Sequence, residues 1–232
     1  MTTLKIPSIA RTVKFALVAT AAAGTLALGL AGPAQASGNG PMYGDPVAAE
    51  KYWQHQKYDD CAIMSSAEVV GQITGKLPSE RSIVKVAQTT PSVAHSGSIY
   101  VKPADKNDPN SGMGTDPDDL PTLLAHYGIH ADNGNASGME ALERNLGGGH
   151  AVIVVLNAEM IWNQPIQNKG KNGQPRADHA VAVTGVDTTN GVVHLNDSGS
   201  EKGKNEQIPM AVFVKAWATS GNFMTVTRET HK

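Results

Sequence analysis

The chain has one cysteine, Cys61, and its sequence neighbours are those of a reactive thiol. It follows turn-forming residues at 57–60, and apolar residues then recur every three or four positions until Gly75, which predicts an amphipathic helix starting at the cysteine. Asp59 and Asp60 are candidate caps for this helix. Unpaired backbone N–H groups and the positive end of the helix dipole favour a thiolate in the first turn. This position predicts a nucleophile.

A thiolate nucleophile needs a group that protonates the departing amine, and histidine is the usual one. His179 has the most suitable surroundings, because small and β-branched residues at 179–186 predict a strand, turn-forming residues follow at 187–191, and 192–196 predicts a second strand. Such a hairpin offers the imidazole of His179 and the carboxylate of Asp197 from neighbouring strands. The competing interpretation is that these two polar residues only bound the hairpin.

The other histidines are weaker candidates. His150 opens a predicted core strand, and His55 lies shortly before the cysteine. Surface positions are predicted for His95, His126, His130 and His231. Gly128 lies between His126 and His130 and is expected to end their helix. This argues against a metal site in which the two histidines lie one helical turn apart.

Residues 1–36 have the organisation of a secretory signal peptide. Three cations and no acid precede an apolar run rich in alanine and glycine, and small residues at Ala34 and Ala36 form a cleavage motif. The alternative, a retained membrane anchor, fits less well because the run is only mildly hydrophobic. We therefore expect cleavage after Ala36 and a bacterial protein that is secreted or located in the cell envelope, with no stable membrane anchor.

The mature chain, 37–232, is long enough for one domain with its own core. Loss of the three signal-peptide cations leaves 16 cationic residues against 21 acidic residues, with no basic cluster, so nucleic acid is not an expected partner. We expect a short N-terminal segment at 37–51, a single domain at 52–232, and a monomer.

An unpaired thiol in an exported protein is at risk of oxidation unless it is buried, bridged to another chain, or used chemically. Burial as a small hydrophobe is the plain alternative for Cys61. An intermolecular disulfide is the second. The helix start favours chemical use.

The segments "YDDCAIMSSA", "DHAVAVTGVD" and "VVHLNDSG", in this order, resemble the bacteriocin-processing (double-glycine leader) peptidase-like group of the papain-like cysteine peptidases. The resemblance runs from about Tyr52 to Arg228. It implies an α+β, papain-like fold in which N-terminal helices, including the nucleophile helix, pack on a C-terminal antiparallel β-sheet. It also implies that Cys61 is the nucleophile, His179 the general base and acid, and Asp197 the residue that orients the imidazole.

Members of this family use a glutamine before the cysteine to donate to the oxyanion. Here Gln56 is the candidate and Gln54 the alternative, because His55 occupies the usual position. The backbone N–H of Cys61 would be the second donor. The two residues after the cysteine also depart from the Gly and Pro that are common in the family.

We expect neither a metal nor a cofactor. The polar loop that begins near Asp105 is rich in Asp and Asn, but Pro109 occupies a ligand position of the calcium-loop pattern, and no glutamate follows at the right offset.

Several local signals predict the scaffold. Ser79 is expected to cap a second helix, Asp116-Pro117 to open another, and Ser137 with Glu140 to form a capping box. Helices precede most of the strands, which favours an α+β layout.

The geometry of the hairpin decides whether Asp197 can reach His179. A two-residue turn at Asn190-Gly191 would pair Thr184 with Asp197, and the two site residues would then point to opposite faces. The triad could not form in that register.

A five-residue loop at 187–191, or a bulge with the same parity, pairs Val181 with Asp197 instead and places the carboxylate diagonal to the imidazole on the same face. We predict this second register, with Gly191 at positive φ and His194 facing away from the site.

Three classes of function remain open at this point. The leading prediction is a secreted cysteine hydrolase that cleaves peptide or amide bonds in a peptide-like substrate through a thioester. The second is an amidase or transferase on cell-wall peptides, of the NlpC type. The third is a binding module that keeps the fold without catalysis.

Overall fold

A computed structural model of the chain describes residues 42–105, 112 and 114–231, so the predicted signal peptide lies outside the described residues. Within them, seven strands form one antiparallel sheet in the order β2-β7-β3-β4-β5-β6, with β1 paired to β4. The strands are β1 (Met42–Gly44), β2 (Ala131–Asn135), β3 (His150–Leu156), β4 (His179–Asp187), β5 (Val192–Asn196), β6 (Glu206–Pro209) and β7 (Phe223–Thr230). The helices are α1 (Pro46–Ala49), α2 (Cys61–Thr74), α3 (Glu80–Thr89), α4 (Leu120–Ala125), α5 (Met139–Gly147), α6 (Ala158–Ile161) and α7 (Met210–Ala218).

Helix α2 begins at Cys61 and ends at Thr74, with Gly75 as its C-cap, as the sequence predicts. Gly75 has φ 75°, the left-handed conformation that glycine adopts without steric cost. The helix is not amphipathic in the expected sense, because every residue from Ala62 to Gly71 is buried. The sheet covers one side of α2 while α3 and α4 cover the other, which leaves no face to solvent.

The sheet carries helices on both faces. On one face, α2 and α4 pack against small and β-branched strand residues, among them Ala151, Ile153 and Ala180. On the other face, α5 and α7 contribute Leu142, Phe213 and Trp217, which pack against Val152, Val154 and Val181. This arrangement confirms the predicted α+β, papain-like fold, with the helix of Cys61 against an antiparallel sheet.

The β4–β5 hairpin brings Asp197 to the face of His179 as predicted, through the bulge and not through the five-residue loop. The turn contains four residues rather than five, since Asp187 pairs with Val192. A bulge between Val183 and Gly185 then shifts the register by one residue. The strands beyond the bulge pair Ala182 with Asn196, which is the register that brings Asp197 to the face of His179.

The helix caps were predicted with mixed success. Ser79 accepts from Ser82 N–H at the start of α3, as expected. Likewise, Asp116 accepts from Asp118 N–H in the 3₁₀ turn Pro117–Asp119 that leads into α4.

Two other caps were predicted wrongly. The capping box at Ser137 is absent, because α5 starts one residue later than the pattern requires, with Gly138 as its N-cap and no capping side chain. Glu140 pairs with Arg144 instead, at 2.6 Å. Asp60 occupies the N-cap position of α2, but its side chain makes no capping hydrogen bond.

The described residues include no helix that is both long and apolar enough to cross a membrane.

Candidate active site

Cys61 is the first residue of α2, is partly exposed, and forms no disulfide with the described residues. The next residues of the helix are buried, so the sulfur lies where the protein interior meets the surface. The alternative interpretation of Cys61, burial as a small hydrophobe, requires complete burial of the side chain. Cys61 is only partly buried. The first-turn N–H groups of α2 surround this end of the helix and can donate to an anion.

His179 lies at the start of β4 and is only 5% exposed. Its Nε2 is 2.7 Å from Asp197 Oδ1, and Cys61 lies close enough to the ring to raise the pKa of His179. Since Nε2 is used by the carboxylate, Nδ1 is the nitrogen left for the thiol. The structure therefore brings Cys61, His179 and Asp197 together at one site.

Asp197 directly follows β5, is fully buried, and is held by several donors. Oδ1 also accepts from the backbone N–H of Gly199 at 2.8 Å, and Oδ2 accepts from the indole N–H of Trp162 at 2.8 Å. The indole N–H of Trp53 donates to the Asp197 carbonyl oxygen at 2.7 Å, and the Asp197 N–H donates to the Gly203 carbonyl at 2.8 Å. Both the side chain and the backbone of Asp197 are thus fixed.

The electrostatics favour an ion pair between imidazole and carboxylate. Burial acts to lower the pKa of His179, but the charge of Cys61 and the hydrogen bonds to Asp197 and Cys61 outweigh it and raise the pKa well above its ordinary value. Burial acts to raise the pKa of Asp197, but the hydrogen bond and charge of His179 outweigh it and lower that pKa. At neutral pH the pair holds an imidazolium and a carboxylate.

The imidazole of His179 is confined by its neighbours. The Trp162 ring centroid is 5.2 Å from that of His179, with the planes inclined at 57°. Gly199 lies close to both rings, since an added Cβ there would lie 2.9 Å from His179 Cε1 and 3.1 Å from Trp162 Cζ2. Only glycine at position 199 leaves room for this ring position.

Further carboxyl groups lie near the site. Glu68, on α2, is fully buried, and burial raises its pKa well above the ordinary value. Burial and then the charge of Asp197 raise the pKa of Glu206 to about 7. The raised pKa values of these two carboxyl groups limit the negative charge around Asp197.

Gln56, the predicted oxyanion donor, is joined to the Asp197 loop. Its backbone N–H donates to the Ser198 carbonyl at 2.9 Å, its Oε1 accepts from Ser198 Oγ at 2.8 Å, and its Nε2 donates to the Tyr58 carbonyl at 2.8 Å. The contact to Tyr58 uses one of the two N–H bonds that an amide carries. Gln54, the alternative, donates through Nε2 to the Pro78 carbonyl at 2.9 Å, which directs its amide toward the start of α3.

Other histidines differ partly from expectation. His126 and His130 are exposed, as predicted. His95 and His231 are partly buried. His95 packs beside Asp119. The backbone N–H of His231 donates to the carbonyl of Gly149, the residue before β3. Among the described residues, no group of three or more His, Cys, Asp or Glu side chains is arranged to hold a metal ion.

Several residues of the site were not found from the sequence. Glu68 carried a signal, since it lies seven residues after Cys61, two helical turns along the same side of α2. Gly199 also carried one, because it follows Asp197 within a turn-forming segment. Trp162 and Trp53 carried none, since both are distant in sequence from the residue they contact.

Comparison with known proteins gives consistent results. The model of the Peptidase_C39 like family matches residues 45–224. Uncharacterized proteins of Mycobacterium tuberculosis and Mycobacterium bovis are each 61% identical to this chain over 236 residues, which covers 98% of this chain and 100% of each relative.

A crystal structure of a Bacillus anthracis protein described as a C39-like peptidase superposes with a TM-score of 0.52. It shares 16% sequence identity and covers 79% of this chain and 97% of its own. At this identity the likeness concerns the fold.

Proposed function

The chain belongs to the Peptidase_C39 like family, and from this premise we propose that it is a cysteine peptidase whose nucleophile is Cys61. The observation that supports this most directly is the 2.7 Å contact between His179 Nε2 and Asp197 Oδ1, made by an imidazole whose pKa the nearby Cys61 also raises. Nucleophile, base and orienting group are in the order that thiol hydrolysis requires.

In the first half of the proposed reaction, the Cys61 thiolate attacks the carbonyl carbon of a peptide bond and a tetrahedral oxyanion forms. The backbone N–H of Cys61 and the amide of Gln56 donate to that oxyanion. The oxyanion collapses, the carbon–nitrogen bond breaks, and the departing amine takes the proton held on His179 Nδ1. The products of this half are a free amine and a thioester on Cys61.

In the second half, neutral His179 takes a proton from water, and the resulting hydroxide equivalent attacks the thioester. Collapse of the second oxyanion expels the Cys61 thiolate and releases a carboxylic acid. His179 ends protonated, so the starting ion pair is restored. Asp197 keeps the ring in one orientation and stabilises the imidazolium through both halves.

The proposed site of action is outside the cytoplasm. The motif that ends at Ala36 supports cleavage there, and the resulting chain would act on a peptide or peptide-like substrate as a secreted or cell-envelope protein.

The decisive experiment is to incubate the chain 37–232 with a library of peptides and with cell-wall peptides, and to identify new termini by mass spectrometry. The proposal expects cleavage of linear peptides, with loss of activity in Cys61→Ala and in His179→Ala. If new termini appear in the cell-wall peptides and not in the linear peptides, the NlpC-type alternative is supported. If the protein cleaves neither the linear peptides nor the cell-wall peptides, and the folded protein binds a peptide saturably, the binding module is supported and the proposal is overturned.

A further inference from the structure

A small cavity of about 80 Å³ lies at the opposite end of α2 and β4 from the active site. Gln72 lines it, eleven residues after Cys61, which corresponds to about 16 Å along a helix. Thr184 also lines it, five residues after His179, about 17 Å along a strand. The cavity is therefore separate from the catalytic residues.

The sheet itself creates the space. β3 pairs with β4 as far as Val183, and β1 takes over as the neighbour of β4 from Gly185 onward. Thr184 lies at this junction, at the bulge of β4, and is 2% exposed. Gly44 closes the end of β1 tightly against it, since a Cβ on Gly44 would lie 2.5 Å from the Thr184 carbonyl oxygen.

Four residues that line the cavity each carry a buried polar atom without a hydrogen-bond partner among the residues that the structure describes. They are Gln72 Nε2, Thr184 Oγ1, His150 Nδ1 and His231 Nδ1. Such atoms are rare in folded proteins, because a buried polar group without a partner costs free energy. Four of them on residues that line one small cavity indicate that it holds a group that hydrogen-bonds to them.

The two imidazoles are held in place by the turn between α5 and β3. An added Cβ on Gly148 would lie 3.1 Å from His150 Cδ2, and one on Gly149 would lie 3.9 Å from His231 Cε1. The His231 N–H donates to the Gly149 carbonyl at 3.0 Å. Both rings therefore lie close to this turn.

The chemistry of the lining selects the ligand. Gln72 Nε2 can only donate, and the Thr184 hydroxyl and both imidazole Nδ1 atoms can also donate, so all four are satisfied at once by a group with several acceptor oxygens. Lys51 adds a positive charge to the lining. The carboxylate of Asp45, also in the lining, already accepts from the Ala48 N–H at 2.9 Å.

From this lining we infer that the cavity binds a small oxyanion, either a carboxylate or a phosphate group. Its volume admits several water molecules or one group of a few heavy atoms, and it is far below the size of a pocket for a drug-sized ligand. The site lies outside the catalytic residues, and the inference does not depend on the peptidase activity.

Titration of the chain 37–232 with sodium acetate and, separately, with inorganic phosphate tests the inference. The imidazole Cε1–H signals in ¹H–¹³C spectra are the readout, assigned with His150→Gln and His231→Gln variants. The expected result is a saturable shift of the His150 and His231 signals with one of the two anions, half-complete at about 1 mM. The His179 signal should stay in place.

Gln72→Glu should weaken binding at least tenfold, because it replaces the amide donor by a carboxylate of the same shape. Gln88→Glu, the same change on the exposed side of α3, is the matched control and should leave binding unchanged. Thr184→Val removes a second donor and provides an independent test if Gln72→Glu does not fold. Shifts that grow linearly with anion concentration, or that are the same in Gln72→Glu and Thr184→Val as in the parent protein, would mean that the cavity holds water only and would overturn the inference.

Discussion

The indole N–H of Trp162 donates to Asp197 Oδ2 at 2.8 Å, while His179 uses the other oxygen of the same carboxylate at 2.7 Å. Both carboxylate oxygens of Asp197 act as acceptors. An asparagine could accept from His179 through its one oxygen, but its NH₂ group would then face the indole N–H, and two donors would oppose each other.

We therefore predict that Asp197→Asn lowers kcat/KM about tenfold or more, and that Trp162→Phe added to it restores part of the loss. The single Trp162→Phe change should cost less than Asp197→Asn. Trp53→Phe is the matched control, since the Trp53 indole donates to the backbone carbonyl of Asp197 and its removal should rescue nothing. A double-mutant cycle on kcat/KM measures the coupling, and strict additivity of the Asp197 and Trp162 changes would count against this arrangement.

The position of the imidazole depends on Gly199. Gly199→Ala would place a methyl group 2.9 Å from His179 Cε1 and must displace the ring or the backbone. We expect kcat/KM to fall about 10- to 100-fold, because small misplacements of catalytic groups are costly. Gly134→Ala is the control, since an added Cβ there meets no atom within 4 Å. Unchanged kinetics in Gly199→Ala would show that the ring position is not critical.

Asp60 should make stability depend on pH. It is 1% exposed, neither carboxylate oxygen has a hydrogen-bond partner among the described residues, and burial followed by the charge of Glu80 raises its pKa from 3.8 to about 7. The folded state then holds a proton that the unfolded state releases, so this group lowers the free energy of unfolding as pH rises from about 4 to 7.

Asp60→Asn removes that penalty. We predict that its free energy of unfolding exceeds that of the parent protein by about 1 to 3 kcal/mol at pH 8, and that the difference is much smaller at pH 4. Urea unfolding at the two pH values measures it, with the exposed Asp118→Asn as control. A difference of equal size at both pH values would point to a cause other than the buried charge.

Export should produce a defined N-terminus. The motif at Ala34 and Ala36 predicts a mature protein that begins at Ser37. Terminal sequencing of the protein expressed with its full N-terminus in a bacterial host that exports it tests this. Retention of Met1 in the membrane fraction would contradict both the cleavage and the proposed location.

The elements that carry the site were predictable because each has a local cause. The helix Cys61–Thr74 follows from recurring apolar residues and from Gly75, which ends it. The strands of the hairpin follow from β-branched residues on either side of a turn. The parity of the hairpin was predictable too, since Asp197 can reach His179 in only one of the two registers. The bulge that produces this register, at Thr184, was one of two solutions, and the sequence could not separate it from a five-residue loop.

What the sequence could not supply depends on contacts between distant segments. Trp162 and Trp53 meet Asp197 only because the sheet brings three separate segments together. The capping box at Ser137 failed because Gly138 occupies the N-cap position one residue later. His231 was expected at the surface but is partly buried. Its backbone N–H donates to the Gly149 carbonyl, and no local sequence pattern predicts this contact.

The central claim is that Cys61 is a nucleophile activated by the imidazolium of His179, and the pH dependence of alkylation tests it most directly. The rate of iodoacetamide modification at Cys61, followed by intact mass from pH 5 to pH 9, should be high and nearly constant below pH 7 in the parent protein, because His179 has a pKa raised well above its ordinary value and keeps its proton. In His179→Ala the rate should fall at low pH and follow the titration of an ordinary thiol near 8.5. The claim would be contradicted if the parent protein already followed the ordinary thiol curve and His179→Ala left that curve unchanged.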